Sequence, residues 1–344
     1  QKEKKFDVIV SDMRMPNMNG AELLEKVRLE SPDTIRIALS GYADAEMTLE
    51  SVHATHQFIA KPAEAEKVTS TIVRALATRE WLGNAEISEL LGSIESLPVL
   101  PHIYDELMQE IASEDCSIKR VADIVAGDVA LSALLLKIVN SAFFGLVRHI
   151  ESSQQAAGVL GVETIKNLAL LTCVFDSFGG DDAAKAKLQE VNSLSQKVGM
   201  LAFKIARASS LEGRAVDHTQ IAGMMSGLGD LIVARYADTF SPEQHPDLEN
   251  PLVGSYLLSI WNMPFAVVEA VRWHQKPGDS GINELSPLAV LHAAWAIVKS
   301  HNAHGEVAFS EDFADLAYLN DVAGADAVNE WLEIGSKFIE AGSE

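Results

Sequence analysis

Lys137–Leu170 reads KIVNSAFFGLVRHIESSQQAAGVLGVETIKNLAL, and this stretch decides the fold of most of the chain. Ile138 and Val139 continue the apolar run Leu134–Leu136, too apolar for a helix with one exposed side, so a buried helix ends here. Ser141-Ala142-Phe143-Phe144-Gly145 follows, with small residues, an aromatic pair and a glycine suited to a helix C-cap. Ser152-Ser153 supplies N-cap candidates, and Ala156, Val159 and Leu160 keep helical spacing. Gly161 then breaks the pattern before a further helix from Val162 to Leu171.

These residues resemble the HDOD family, the all-helical "HD-related output domain" of bacterial signalling proteins. Asn140–Gly145, Ile150-Glu151-Ser152, Ala156, Leu160-Gly161 and Leu168 carry the likeness. Further helices are expected at Ile103–Ala112, Ile118–Ala126 capped by Ser117, Val129–Asn140, Ala183–Ala208, Thr219–Ala237, Pro251–Asn262 and Pro264–Trp273. Many helices without a clear strand predict an all-α bundle.

The N-terminal part has a different rhythm. Phe6–Asp12 reads as a buried strand with an acidic end, Met13–Gly20 as a loop, and Ala21–Glu30 as a helix with Leu23, Leu24 and Val27 inward. Thr34–Leu39 and Phe58–Ala60 are further strands, with a weak helix over Asp44–His53 between them. Strands alternating with helices imply a parallel sheet, whose C-terminal strand ends collect functional groups. Asp12, Ser40 and Lys61 all fall at such ends. A carboxylate, a hydroxyl and an ammonium converging there suit phosphoryl transfer to Asp12, with Lys61 and Ser40 meeting the phosphate oxygens.

Over residues 5–78 this pattern resembles the receiver domain of two-component response regulators. Asp12–Gly20 matches the phosphoacceptor loop, Ser40-Gly41 and Lys61-Pro62 match the family's hydroxyl and lysine, and Phe58 falls at its switch aromatic. The resemblance implies a cis Lys61-Pro62 bond and phosphorylation of Asp12 by a sensor histidine kinase. It also implies Mg²⁺, which Asp12 and the Arg14 backbone would help hold in a complete receiver. The family's first strand and its acidic pair have no counterpart here, since Glu3 stands among lysines. The expectation is a flavodoxin-like receiver missing its first strand, in a fragment of a longer protein. As given, it is short of Mg²⁺ ligands and not expected to be phosphorylated normally.

The domain layout expected is a receiver over 1–80, a helical linker over 81–96, the HDOD domain over 97–285, and an acidic helical extension over 286–344 packed on it. In the linker's approach, Val68, Ile72, Val73, Leu76 and Ala77 form a stripe on the helix Glu64–Leu82. The extension should hold helices at Pro287–Ser300, Ser310–Tyr318 and Ala325–Ala341.

Composition limits the partners. The chain has 344 residues, 48% of them hydrophobic, and a net charge of −22. Residues 1–80 hold 11 Lys+Arg against 13 Asp+Glu, and the rest hold 16 against 36. An acidic surface disfavours nucleic acid and anionic lipid, both of which call for basic patches. No apolar run is long enough for a membrane span. Cys116 and Cys173 lack nearby Cys or His partners and read as reduced core thiols in a cytoplasmic protein.

The wider HD superfamily hydrolyses phosphoesters with metals held by histidines and aspartates. The HDOD register puts Leu194, Ser226, Gly227 and Trp295 at those ligand positions, with Asn192 and Ser193 the polar neighbours of the first. Leucine, glycine and tryptophan cannot ligate, and a neutral serine is a poor ligand. No metal is therefore expected in the helical domain, and no enzyme activity. His274 reads first as a helix-end or core-edge histidine. His301 and His304 flank a loop and lack carboxylate company at ligand spacing.

The sequence thus predicts a response regulator whose non-catalytic HDOD domain binds a protein target, compatible with a homodimer. The alternative is a nucleotide or small-molecule sensor in the degenerate cleft, lined by Ser226, Asp230, Arg272 and His274. A metal-dependent phosphohydrolase ranks third.

Overall fold

A computed structural model of the chain describes residues 6–40, 54–82, 115–139, 154–159, 182–237, 248–261 and 263–341, with a few isolated positions between them. Most of the stretch 140–149 and 160–170 that carries the HDOD likeness lies outside the described residues, as do Cys173 and the helix expected at Asp44–His53.

The N-terminal sheet follows from the apolar runs. Strands β1 (Val8–Asp12), β2 (Ile35–Ser40) and β3 (Gln57–Ala60) form one parallel sheet in the order β1-β2-β3. The register pairs Asp12 with Leu39 and Ser40 with Ala60, which levels the three C-terminal ends. Parallel strands need crossovers. The first is helix α1 (Gly20–Glu30). Helix α2 (Ala65–Leu82) follows β3, and Val68, Ile72 and Ala75 pack on Ile35, Ile37 and Ile59. Val73, expected in the buried stripe, is instead 60% exposed, because the period that buries Val68 and Ile72 turns position 73 outward.

Helix α1 starts where it does because of a capping box. The Glu22 N–H donates to Asn19 Oδ1 at 2.8 Å, and the Asn19 N–H donates to Glu22 Oε2 at 3.3 Å. Asn19→Ala is expected to lower stability by about 1 kcal/mol, read as a shift in urea midpoint at unchanged slope. Asn19→Ser should restore most of the loss.

The chain forms two compact units, residues 1–179 with 256–263, and residues 180–255 with 264–344. The first also holds α3 (Ile118–Ala126) and α4 (Val129–Val139), which pack together. Ser117 stands at the N-cap of α3, but its hydroxyl makes no capping bond; its backbone N–H donates instead to Glu110.

In the second unit the helices are α5 (Asp182–Ala208), α6 (Arg214–Met225), α7 (Leu228–Arg235), α9 (Phe265–Trp273), α10 (Pro287–His304), α11 (Leu316–Ala323) and α12 (Ala325–Ala341). Helix α8 (Asn250–Ile260) gives its first residues to this unit and the rest to the other. Helix α10 is buried without interruption from Leu288 to Val298, so it is the centre of the unit. Helix α5 packs against α6, α7, α10 and α12. Two crossings depend on glycine. A Cβ at Gly223 would lie 2.6 Å from Gly199 Cα, and one at Gly229 would lie 1.8 Å from the Asn250 carbonyl oxygen.

Two expected helices are corrected. The helix read over Thr219–Ala237 breaks at Ser226-Gly227, where a Cβ on Gly227 would meet Ser195 Oγ at 2.3 Å. The helix read over Ser310–Tyr318 starts only at Leu316, because the Asp315 side chain accepts from the Tyr318 N–H at 2.9 Å and fixes the N-terminus there. The C-terminal segment packs on α5 and α10 through Trp331, whose indole N–H donates to Ser209 Oγ at 3.0 Å, and through Gly335, set against Ile297.

Candidate functional site

The levelled strand ends bring the predicted N-terminal residues together. Asp12 closes β1, and its Oδ2 is ion-paired with the Lys61 ammonium just past β3. Its Oδ1 accepts from the Arg14 N–H at 2.9 Å. The Lys61 hydrogen bond, with that from Arg14, holds the Asp12 carboxyl below the usual carboxylate range. Asp12 is therefore ionised at neutral pH and, at 39% exposure, reachable from solvent. A carboxylate in that state is a nucleophile, and an ammonium beside it can neutralise an incoming phosphoryl group.

The loop after Asp12 is held in place by backbone contacts. The Gly20 N–H donates to the Met13 carbonyl at 2.9 Å, and a Cβ at Gly20 would sit 2.2 Å from the Asp12 carbonyl oxygen. Only glycine lets α1 begin so close to the strand end. On the other side the Lys61 N–H donates to the Ser40 carbonyl at 2.9 Å, and the Lys61-Pro62 bond is cis. Ser40 is fully buried at the end of β2, and Phe58 is buried within β3. Among the described residues no three His, Cys, Asp or Glu side chains gather as a metal site. One lysine-bound carboxylate and a backbone oxygen are a thin donor set for Mg²⁺.

The second predicted set is only partly brought together. Asp230 accepts from Asn250 Nδ2 at 2.7 Å, and Arg272 donates to the neighbouring Glu249 at 2.8 Å. Burial raises the Asp230 carboxyl above its ordinary value despite the Asn250 bond. Burial also pushes Glu249 upward, but the hydrogen bonds from Lys276 and Arg272 prevail and hold it low. Ser226 and His274 are each occupied with their own helices. Ser226 Oγ donates to the Gly223 carbonyl at 2.7 Å, and His274 Nδ1–H donates to the Val271 carbonyl at 2.8 Å.

His274 belongs to an aromatic core. Its ring meets Trp295 edge-on with centroids 5.4 Å apart, and Trp295 in turn meets Phe313. His292 Nδ1–H donates to the His274 carbonyl at 2.7 Å, while His292 Nε2 accepts from the Asp315 N–H at 2.9 Å. Those two partners fix His292 as a neutral ring protonated on Nδ1. Burial lowers the His274 pKa to about 4, and burial lowers that of His292 as well.

Of the superfamily ligand positions, Leu194 lies half-buried on α5, Trp295 fills the aromatic core, and Gly227 abuts Val191 and Ser195. The reading of His304 needs correction, because folding brings Asp312 to 3.3 Å from its Nε2. Glu249, Asn250, Lys276 and Ser195 were not singled out in the sequence. The Asn250-Pro251 pair marks a helix start, but nothing local shows that Asp230 and Arg272 meet there.

Comparison with known proteins agrees with both halves. The response regulator receiver domain family matches residues 1–73, and the HDOD domain family matches residues 97–244. Among curated proteins, an uncharacterized protein of Treponema pallidum is 23% identical over 59% of this chain and 43% of its own length. The C4-dicarboxylate transport transcriptional regulatory protein DctD of Rhizobium meliloti is 28% identical over 37% of this chain and 30% of its own. The chain thus spans less than half the length of these relatives. Among solved structures, the MmoQ response regulator of Methylococcus capsulatus shares the fold with a TM-score of 0.50 at 18% identity, over 69% of this chain and 98% of that one. No helix among the described residues is long and apolar enough to cross a membrane. The chain carries a response regulator receiver domain followed by an HDOD domain.

Proposed function

We propose that Asp12 takes a phosphoryl group from a sensor histidine kinase and that this charge controls a non-catalytic HDOD domain that binds a target protein. The observation behind the reading is the ion pair of Asp12 with Lys61 at the levelled ends of a parallel sheet. A phosphoryl group on Asp12 would compete for the Lys61 ammonium and for the Ser40 hydroxyl. That is a local charge change able to bias a two-state element. Mg²⁺ is expected in that transfer, with Asp12 and the Arg14 backbone helping to hold it.

The output is read as binding without catalysis because Leu194, Ser226, Gly227 and Trp295 offer no ligand set. Gly227 adds a steric reason, since α5 leaves no room for a side chain there. Binding of a protein is favoured over sensing of a nucleotide because the Ser226 hydroxyl and His274 Nδ1–H, the donors these two residues would offer a ligand, are spent on carbonyls of their own helices.

The test uses the full-length protein, its cognate kinase and radiolabelled ATP. Label should appear on the wild type, vanish in Asp12→Asn, and fall severalfold in Lys61→Ala. Phosphorylated and Asp12→Asn forms are then compared for capture of cytoplasmic proteins. Label that persists in Asp12→Asn would refute the phosphoacceptor, and equal capture by both forms would refute the control.

A further inference from the structure

The second unit carries a concavity of about 710 Å³ between α5, the end of α10 and α12. That volume is ligand-sized. Its floor is apolar, with Met200, Ile334 and Phe338, and Met200 is 56% exposed there. Around it stand Lys197, Lys204 and Lys337. Lys197, Met200 and Lys204 fall three and four residues apart, on one face of α5, and Lys337 and Phe338 follow Ile334 by three and four residues on α12.

The charge of this place opposes that of the chain. The protein has 49 Asp+Glu against 27 Lys+Arg, yet among the described residues no carboxylate lines the concavity. Lys337 is the one lysine among the last forty residues, and it faces the groove. Among the described residues neither Lys197 nor Lys204 has an ion-pair partner, and Lys337 has only the exposed Glu333 at 3.9 Å. His301 also lines the concavity, and its Nδ1 is shielded from solvent without a hydrogen-bond partner among the described residues. Like charges gathered around one hollow repel one another, and an anion between them relieves that cost.

We infer that this groove binds a small amphiphilic anion, a carboxylate head on an apolar chain, with the head among Lys197, Lys204 and Lys337 and the chain along Met200 and Phe338. A bare inorganic anion would leave the apolar floor in water, and a neutral apolar molecule would leave the lysines uncompensated. The site shares no residue with that of Asp12.

The experiment titrates dodecanoate, below its micelle concentration, into the full chain by calorimetry. One saturable site is expected, weakening as salt rises. Lys197→Glu with Lys204→Glu should weaken binding at least tenfold. Met200→Glu should do likewise while leaving the melting temperature within a few degrees, since all three residues are exposed. Dodecyltrimethylammonium and inorganic phosphate should bind at least tenfold more weakly than dodecanoate. Absence of a saturable site, indifference to these substitutions, or equal binding of the cationic detergent or of phosphate would each overturn the inference. Light scattering adds a further outcome: a dimer that the lysine substitutions dissociate would make a second copy of the chain the occupant and overturn it too.

Discussion

Gly223→Ala is expected to cost about 3 kcal/mol or more and to lower the melting temperature of the C-terminal helical unit by roughly 10 °C. The added methyl would stand 2.6 Å from Gly199 Cα, 3.0 Å from Gly199 N and 3.2 Å from the Val198 carbonyl carbon. All three atoms are backbone, so no rotamer change can make room, and α5 and α6 must separate. Gly199→Ala should cost less, because its nearest obstacle, at 2.6 Å, is Met224 Cγ, the flexible part of a side chain, and the backbone atoms it meets, Met224 N and the Gln220 oxygen, stand at 3.0 and 3.3 Å. Gly158 provides the control. It lies in the helical residues 154–159, where a Cβ would meet no described residue within 4 Å, so Gly158→Ala should be neutral or stabilising by about 0.5–1 kcal/mol. Thermal melts followed by circular dichroism give the ranking. Equal effects at 223 and 158 would show that the close helix crossing does not exist.

Acid should unfold the same unit, through His274 and His292. The folded pKa of His274 is about 4, against an ordinary 6.5 that its unfolded state would show. Between those values the unfolded chain binds a proton that the folded chain refuses, so stability falls as pH drops from 6.5 towards 4. Above 6.5 the contribution is constant, and below 4 it levels off. The gap corresponds to about 3 kcal/mol from His274 alone, and His292 adds in the same direction. His292 has a structural reason besides desolvation, since protonating Nε2 would break its bond from the Asp315 N–H at the start of α11. Carboxylates titrate in part of this range, so the informative quantity is the difference between wild type and His274→Asn, whose amide can still donate to the Val271 carbonyl. Urea midpoints at pH 7.5, 6, 5 and 4 should converge for the pair as pH falls. A difference that stays constant across the series would mean that His274 does not titrate with folding.

What could be read from the sequence follows the range of the interaction that sets each feature. Strands β1 and β2 were legible because buried parallel strands appear as short continuous apolar runs. The gathering of Asp12, Ser40 and Lys61 was legible because parallel topology collects strand ends, so the three could be placed together without coordinates. The break at Ser226-Gly227 was not, because the apolar pattern runs straight across it and its cause is the side of α5 pressing on Gly227. Phe309, Phe313 and Leu316 carry helical spacing, yet Phe313 is drawn instead to Trp295 and His304 in the aromatic core. The cluster of Asp230, Asn250, Glu249, Arg272 and Lys276 has no local signature, since its members meet only after α7, α8 and α9 have docked.

The hydrogen bond from Trp331 to Ser209 joins residues 122 positions apart. Helix α5 finds α6 almost at once along the chain, but its contacts with α10 and α12 wait for segments about a hundred residues later. Such distant closures are slow in folding, because loop entropy is spent before the contact rewards it. During synthesis, therefore, α5 emerges long before the helices that cover it. The order of completion puts the C-terminal acidic segment last, so a ribosome that stops short of Trp331 leaves one flank of α5 open to water and to any chaperone that reads bare apolar surface.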